Sequence, residues 1–147
     1  MRVVMVSDVY FPRINGVSTA IQTYQQALRA YGVEVSLVAP DYGLPCSEPW
    51  ISRVSARVVP RDPEDRLVRW GKMHEAVEAA VDEGADLIHV QTPFVAHYAG
   101  SYVARRYGVP VIATYHTLFE EYLKHYAPLV PASLLRGLAR GFSRRQC

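Results

Sequence analysis

One stretch near the amino terminus concentrates residue types that could do chemistry: Ser7-Asp8-Val9-Tyr10-Phe11-Pro12-Arg13-Ile14-Asn15-Gly16-Val17-Ser18. Gly16 stands just before a helical pattern. A residue without a side chain at that place lets a ligand reach the backbone N–H groups of the first turn. Those groups carry partial positive charge, so the ligand they suit is an anion, most simply a phosphate. One glycine in a long turn is not the three-glycine dinucleotide fingerprint, and no Gly-Lys-Ser/Thr follows as a phosphate loop requires. A turn whose glycine only starts a helix accounts for the same residues without a ligand. Arg13 could face an anion or lie in water. Asp8 could act as a general base, but aspartate is a common turn residue, and a structural role is the simpler account.

A second group lies far along the chain. His116 follows an apolar run, with Glu120 and Glu121 close behind. An imidazole at such a place can hydrogen-bond a substrate, although a lone histidine also serves structure. No second ligand lies at helical or strand spacing from it, so a metal site is not expected. Either glutamate could hold an acceptor hydroxyl, and acidic residues at a helix start also suit the helix dipole without any ligand. Gln91 closes another apolar run and is a further polar candidate. His89 reads as a core or rim residue, and His74, His97 and His125 as surface or packing residues of helices.

These side chains need elements to place them. Val3-Val4-Met5-Val6 predicts a buried first strand. Val17, Ala20, Ile21, Tyr24, Leu28 and Tyr31 share one face of a helix that Gly32 ends. Residues 33–39 predict a second strand, 44–55 a loop, and 56–60 a short third strand. Asp62 and Pro63 carry the signature of a helix start, with Leu67, Trp70, Val77 and Val81 as its apolar stripe and Gly84 at its end. Residues 86–90 form a fourth strand. Thr92 caps a helix over 94–107, residues 111–115 form a fifth strand, and helices follow over 118–126 and 131–145.

Alternating strands and helices predict an α/β fold, a Rossmann-like parallel sheet with helices on both faces. Right-handed crossovers then bring the ends of the first and fourth strands together, where ligands bind in open sheets. A chain of 147 residues, half of them hydrophobic, suffices for one domain over 1–147. A net charge of +2 does not indicate a nucleic-acid surface. Cys46 and Cys147 have no metal-ligand spacing, and with no signal peptide they suggest a reducing cytoplasmic setting. No apolar run approaches the roughly 20 residues of a membrane span. The pattern still reads as helix at Cys147, so the chain is expected to be a piece of a longer polypeptide.

Three blocks together, Ser7 to Ile21 (SDVYFPRINGVSTAI), His89 to Phe94 (HVQTPF) and Thr114 to Tyr122 (TYHTLFEEY), resemble glycosyltransferase family 4. The resemblance implies the N-terminal, acceptor-side half of a GT-B architecture. It implies a retaining hexosyltransferase whose donor-binding C-terminal domain is absent from this sequence, so that the isolated chain is inactive. It implies that Gly16 approaches the donor diphosphate and that His116 reaches the transferred sugar. The nucleotide-sugar would be a co-substrate, with no cofactor and no metal. The departing diphosphate would be stabilised by backbone dipoles and cationic side chains, mostly from the domain absent here.

The third block, with Tyr126 after it, looks like members that glycosylate diacylglycerol-type lipids. Members that mannosylate lipids or polysaccharides share much of it, so the implied acceptor is a lipid or a glycan. Arg136, Arg140, Arg144 and Arg145 beside Leu134, Leu135, Leu138 and Phe142 make a basic amphipathic face that could dock on the inner surface of a membrane. Burying those leucines against the sheet and leaving the arginines in water is the simpler account. Two other functional classes stay open: a non-catalytic α/β binding domain that needs a partner chain, and a GT-B-type nucleotide-sugar epimerase.

Overall fold

β1 (Arg2–Val6) is the central strand of the main sheet. Its alternate side chains enter two separate cores. Val4 and Val6 pack into one, and Val3 and Met5 into the other, all at 1% exposure or less. A strand buried on both faces needs helices above and below, and the rest of the chain supplies them. The computed structural model describes residues 1–45, 48–60, 62–114 and 116. The chain divides into two compact units, Met1–Thr114 and Tyr115–Cys147. The architecture below is that of the first. The helices expected over 118–126 and 131–145 lie outside the described residues.

Five parallel strands run in the order β3-β2-β1-β6-β7, with β2 at Glu34–Pro40, β3 at Ile51–Val54, β6 at Leu87–Val90 and β7 at Val111–Ala113. The chain order reverses beside β1, which pairs with β2 on one side and β6 on the other. The carboxyl ends of β1 and of the fourth strand of this sheet, β6, are therefore neighbours, as the crossover rule requires. α1 (Gly16–Ala30) covers one face through Ile21, against Val3, Met5, Leu37 and Ala39. α2 (Trp70–Asp82) and α3 (Val95–Tyr107) cover the other through Met73, Val77, Val81, Ala96, Ala99 and Val103. Gly100 lets α3 lie close to β6: a Cβ at that position would stand 2.9 Å from Val90 Cγ2.

The segment between β2 and α2 departs from the pattern. The third strand of the sheet is Ile51–Val54, inside the expected loop; only its two ends, Ile51 and Val54, are apolar and buried, so it carries little periodic signal. Ala56–Val59 is a strand, β4, but it pairs antiparallel with β5 (Asp62–Val68) in a separate hairpin. The expected helix start at Asp62 is thus overturned. The helix begins at Trp70, and Arg69 caps it without a side-chain bond. In the extended conformation Val68 enters the core while Leu67 stays 58% exposed, which a helix over these residues could not arrange together with the buried Met73, Val77 and Val81. Trp70, at 45% exposure, also leaves the expected stripe.

Candidate functional site

The loop after β1 and the loop after β6 meet at the carboxyl edge of the sheet, and Asp8 joins them. Its backbone N–H donates to Thr92 Oγ1 at 2.8 Å, and the Thr92 hydroxyl donates back to Asp8 Oδ2 at 2.7 Å. Both carboxylate oxygens also accept from the Ala96 N–H, each at 3.1 Å. α3 has no side-chain cap of its own: the cap position is Phe94, and the expected capping residue, Thr92, spends its hydroxyl on Asp8. Asp8 therefore supplies from another loop the acceptor that the first turn of α3 lacks. Burial raises the Asp8 carboxyl pKa from 3.8 to about 6, against the opposing pull of the Thr92 hydroxyl and the N–H groups at the start of α3. The aspartate thus serves structure, but across two loops instead of within its own.

Gly16 opens α1. Asn15 is the cap: its side-chain oxygen accepts from the Ser18 N–H at 2.8 Å, and its backbone oxygen from the Thr19 N–H at 3.1 Å. The Gly16 backbone is not in the left-handed region, and a Cβ built there meets nothing within 4 Å among the described residues outside its own turn. Nothing in the described fold demands a glycine at this place. The room beside the first turn is what an approaching anionic group would use.

Tyr10 pins the middle of the same loop. It is buried to 1% exposure and meets Phe11 and Trp50 edge to face, at centroid distances of 5.1 and 5.8 Å. The Phe11–Pro12 peptide bond is cis. Arg13, expected either to face an anion or to lie in water, is held by Glu64 and Asp65 of β5.

Gln91 stands at the carboxyl end of β6, but it is 1% exposed and not open on the rim. Its N–H donates to the Val6 carbonyl at 2.9 Å, which continues the pairing with β1 and draws the residue inward. His89 is a core residue, with Nε2 2.7 Å from Thr114 Oγ1. His116 belongs to the second unit, is half-buried, and has its imidazole pKa lowered by that burial. Glu120, Glu121 and the arginines at 136, 140, 144 and 145 lie outside the described residues.

Sequence reasoning missed Asn15 as the cap, although asparagine directly before a helix is a strong signal. It also missed Thr92 as the partner of Asp8, and Glu64 and Asp65 as partners of Arg13; no local pattern announces contacts between loops so far apart in the chain.

The family model described as Glycosyltransferase Family 4 matches residues 14–147. The chain belongs to glycosyltransferase family 4. It is similar to the alpha-monoglucosyldiacylglycerol synthase of Streptococcus pneumoniae, at 35% identity over 147 residues, covering 97% of this chain and 33% of that protein. The enzyme of the same name from Acholeplasma laidlawii is 28% identical, over 88% of this chain and 33% of that protein. A GDP-mannose-dependent alpha-mannosyltransferase of Mycobacterium tuberculosis is 31% identical, over 80% of this chain and 32% of that protein. The chain thus spans about a third of the length of the curated relatives it matches. Among the described residues, no helix of this family member is long and apolar enough to cross a membrane.

Proposed function

We propose that this chain is the acceptor-side half of a GT-B glycosyltransferase that moves a hexose from a nucleotide-sugar to a lipid or glycan acceptor, with retention of anomeric configuration. The observation that carries the proposal is the match of residues 14–147 to glycosyltransferase family 4. The start of α1 supports it, because Gly16 leaves space beside amide groups suited to a diphosphate. The names of relatives that make a glucosyldiacylglycerol or use GDP-mannose favour a lipid acceptor and a nucleotide-hexose donor.

In this account Gly16 lies against the donor diphosphate and His116 contacts the transferred sugar. Asp8 holds the two rim loops in register, and Glu120 or Glu121 bonds an acceptor hydroxyl. No metal is needed, because amide groups and cationic side chains stabilise the leaving diphosphate. The enzyme works in the cytoplasm, at the inner face of the membrane where its acceptor is a lipid. The 147-residue chain alone is inactive, since a second domain binds most of the donor.

The test is sugar transfer by the longer protein, with labelled GDP-mannose and UDP-glucose as donors and diacylglycerol vesicles or an oligosaccharide as acceptors. Transfer giving the anomer of the donor is expected, with none from the 147-residue chain. Absence of transfer from every nucleotide-sugar tried, or transfer with inversion, would refute the proposal.

A further inference from the structure

Arg13 is fastened at both ends. Its backbone carbonyl accepts the Ser18 hydroxyl in the first turn of α1 at 2.7 Å, and its own N–H donates to the Tyr10 carbonyl at 3.1 Å. Its guanidinium reaches out of the loop to the hairpin, where it pairs with Glu64 and places Nε 3.2 Å from Asp65 Oδ1. The Arg13 and Asp65 side chains are only 27% and 23% exposed, whereas Glu64 is 68% exposed, so the Asp65 pair is the one shielded from water. The hairpin has a second tie to the rim, since the Arg66 guanidinium lies 4.7 Å from the centroid of the Tyr42 ring. Two carboxylates on one guanidinium leave Arg13 with no uncompensated charge to offer an anion.

We propose that Arg13, Glu64 and Asp65 form a clasp through which the β4–β5 hairpin positions the first turn of α1, making all three positioning residues for the donor diphosphate. The clasp rests on the function proposed above for the start of α1. Its route is short: hairpin carboxylates, Arg13 side chain, Arg13 carbonyl, Ser18 hydroxyl, and the turn that begins at Gly16. Glu64 and Asp65 touch no donor. They act by keeping that turn in one place.

The clasp and a direct Arg13–diphosphate contact predict opposite outcomes. If Arg13 were a ligand, removing the two carboxylate charges would free it and tighten donor binding. With a clasp, the same change loosens the turn and weakens donor binding, as loss of Arg13 does. The experiment is a mutant cycle in the longer, sugar-transferring protein, with R13Q, E64Q/D65N and the triple variant. Each arm is expected to raise the donor KM by about 5- to 10-fold with kcat changed less than about 2-fold, and the triple variant to be no worse than either arm. R13K should keep most of the donor affinity, and the exchanged pair R13D/D65R should recover part of what R13D alone loses.

A lowered or unchanged donor KM in E64Q/D65N, or effects that multiply in the triple variant, would overturn the clasp. Hydrogen exchange at the Ser18 and Thr19 amides gives a readout independent of turnover. Faster exchange in E64Q/D65N at an unchanged melting temperature supports the clasp, and unchanged exchange overturns it. If the unsubstituted protein transfers no sugar, the proposed function fails by itself, and the exchange data alone decide the clasp. If E64Q/D65N does not fold, D65N alone is measured in the same way and judged by the same outcomes.

Discussion

Replacing Asp8 with asparagine should remove a pH dependence of stability expected of the unsubstituted chain between about pH 4 and pH 6. The carboxyl pKa is raised from 3.8 to about 6, with burial as the first cause. A carboxyl whose folded pKa lies above its unfolded value binds its proton more tightly in the folded state. Its contribution to stability is complete below the unfolded pKa and is lost as pH rises through the folded one. At about 1.4 kcal/mol per pH unit, the displacement from 3.8 to about 6 amounts to roughly 3 kcal/mol. An amide of the same shape carries no such charge. Its oxygen can still accept from the Ala96 N–H and its nitrogen can donate to Thr92 Oγ1, so D8N keeps the link between the loops.

The assay is urea unfolding of both proteins at intervals from pH 3.5 to 7.5, read as the difference between them. Every other titrating group is common to the pair and cancels. D8N is expected to gain on the unsubstituted chain by a few kcal/mol as pH rises across that window, and then to run parallel to it. A flat difference, or a gain by the aspartate with rising pH, would refute the reasoning that burial outweighs the hydrogen bonds at this carboxyl.

Two further outcomes follow from packing and capping. G100A should lower stability by about 1–3 kcal/mol, seen as a reduced melting temperature, because its Cβ would press on Val90 Cγ2 at 2.9 Å where α3 lies on β6. N15A should cost about 1 kcal/mol by the same measurement, since it strips the Ser18 N–H of its acceptor.

Local chemistry in the chain announced the strands that are β-branched and buried on both faces, β1 and β2, and the glycines that close the helices. The arrangement of β1 beside β6 followed from crossover handedness alone, and with it the meeting of the two rim loops. The hairpin was not legible. Asp62, Pro63 and the acidic residues after them satisfy every local rule for a helix start, and only tertiary partners make the extended form better. Those partners are Arg13 for Glu64 and Asp65, Tyr42 for Arg66, and the core for Val68. The site divides in the same way. Gly16 before its helix is local and readable, as the missed Asn15 cap also is, whereas the bond from Asp8 to Thr92 joins residues 84 positions apart and needed the sheet to be built first.

The claim at the centre of this account is that a donor diphosphate lies against the first turn of α1. The most direct measurement is the donor KM of the longer protein carrying G16V, with the melting temperature as control. A Cβ there meets no described residue within 4 Å beyond its own helical turn and chain neighbours, so stability should change little. The side chain would fill the room beside the amides, and losing one or two charge-assisted bonds at ~1.5–3 kcal/mol each should raise the donor KM about 10-fold or more. An unchanged donor KM in a folded, active G16V protein would contradict the account.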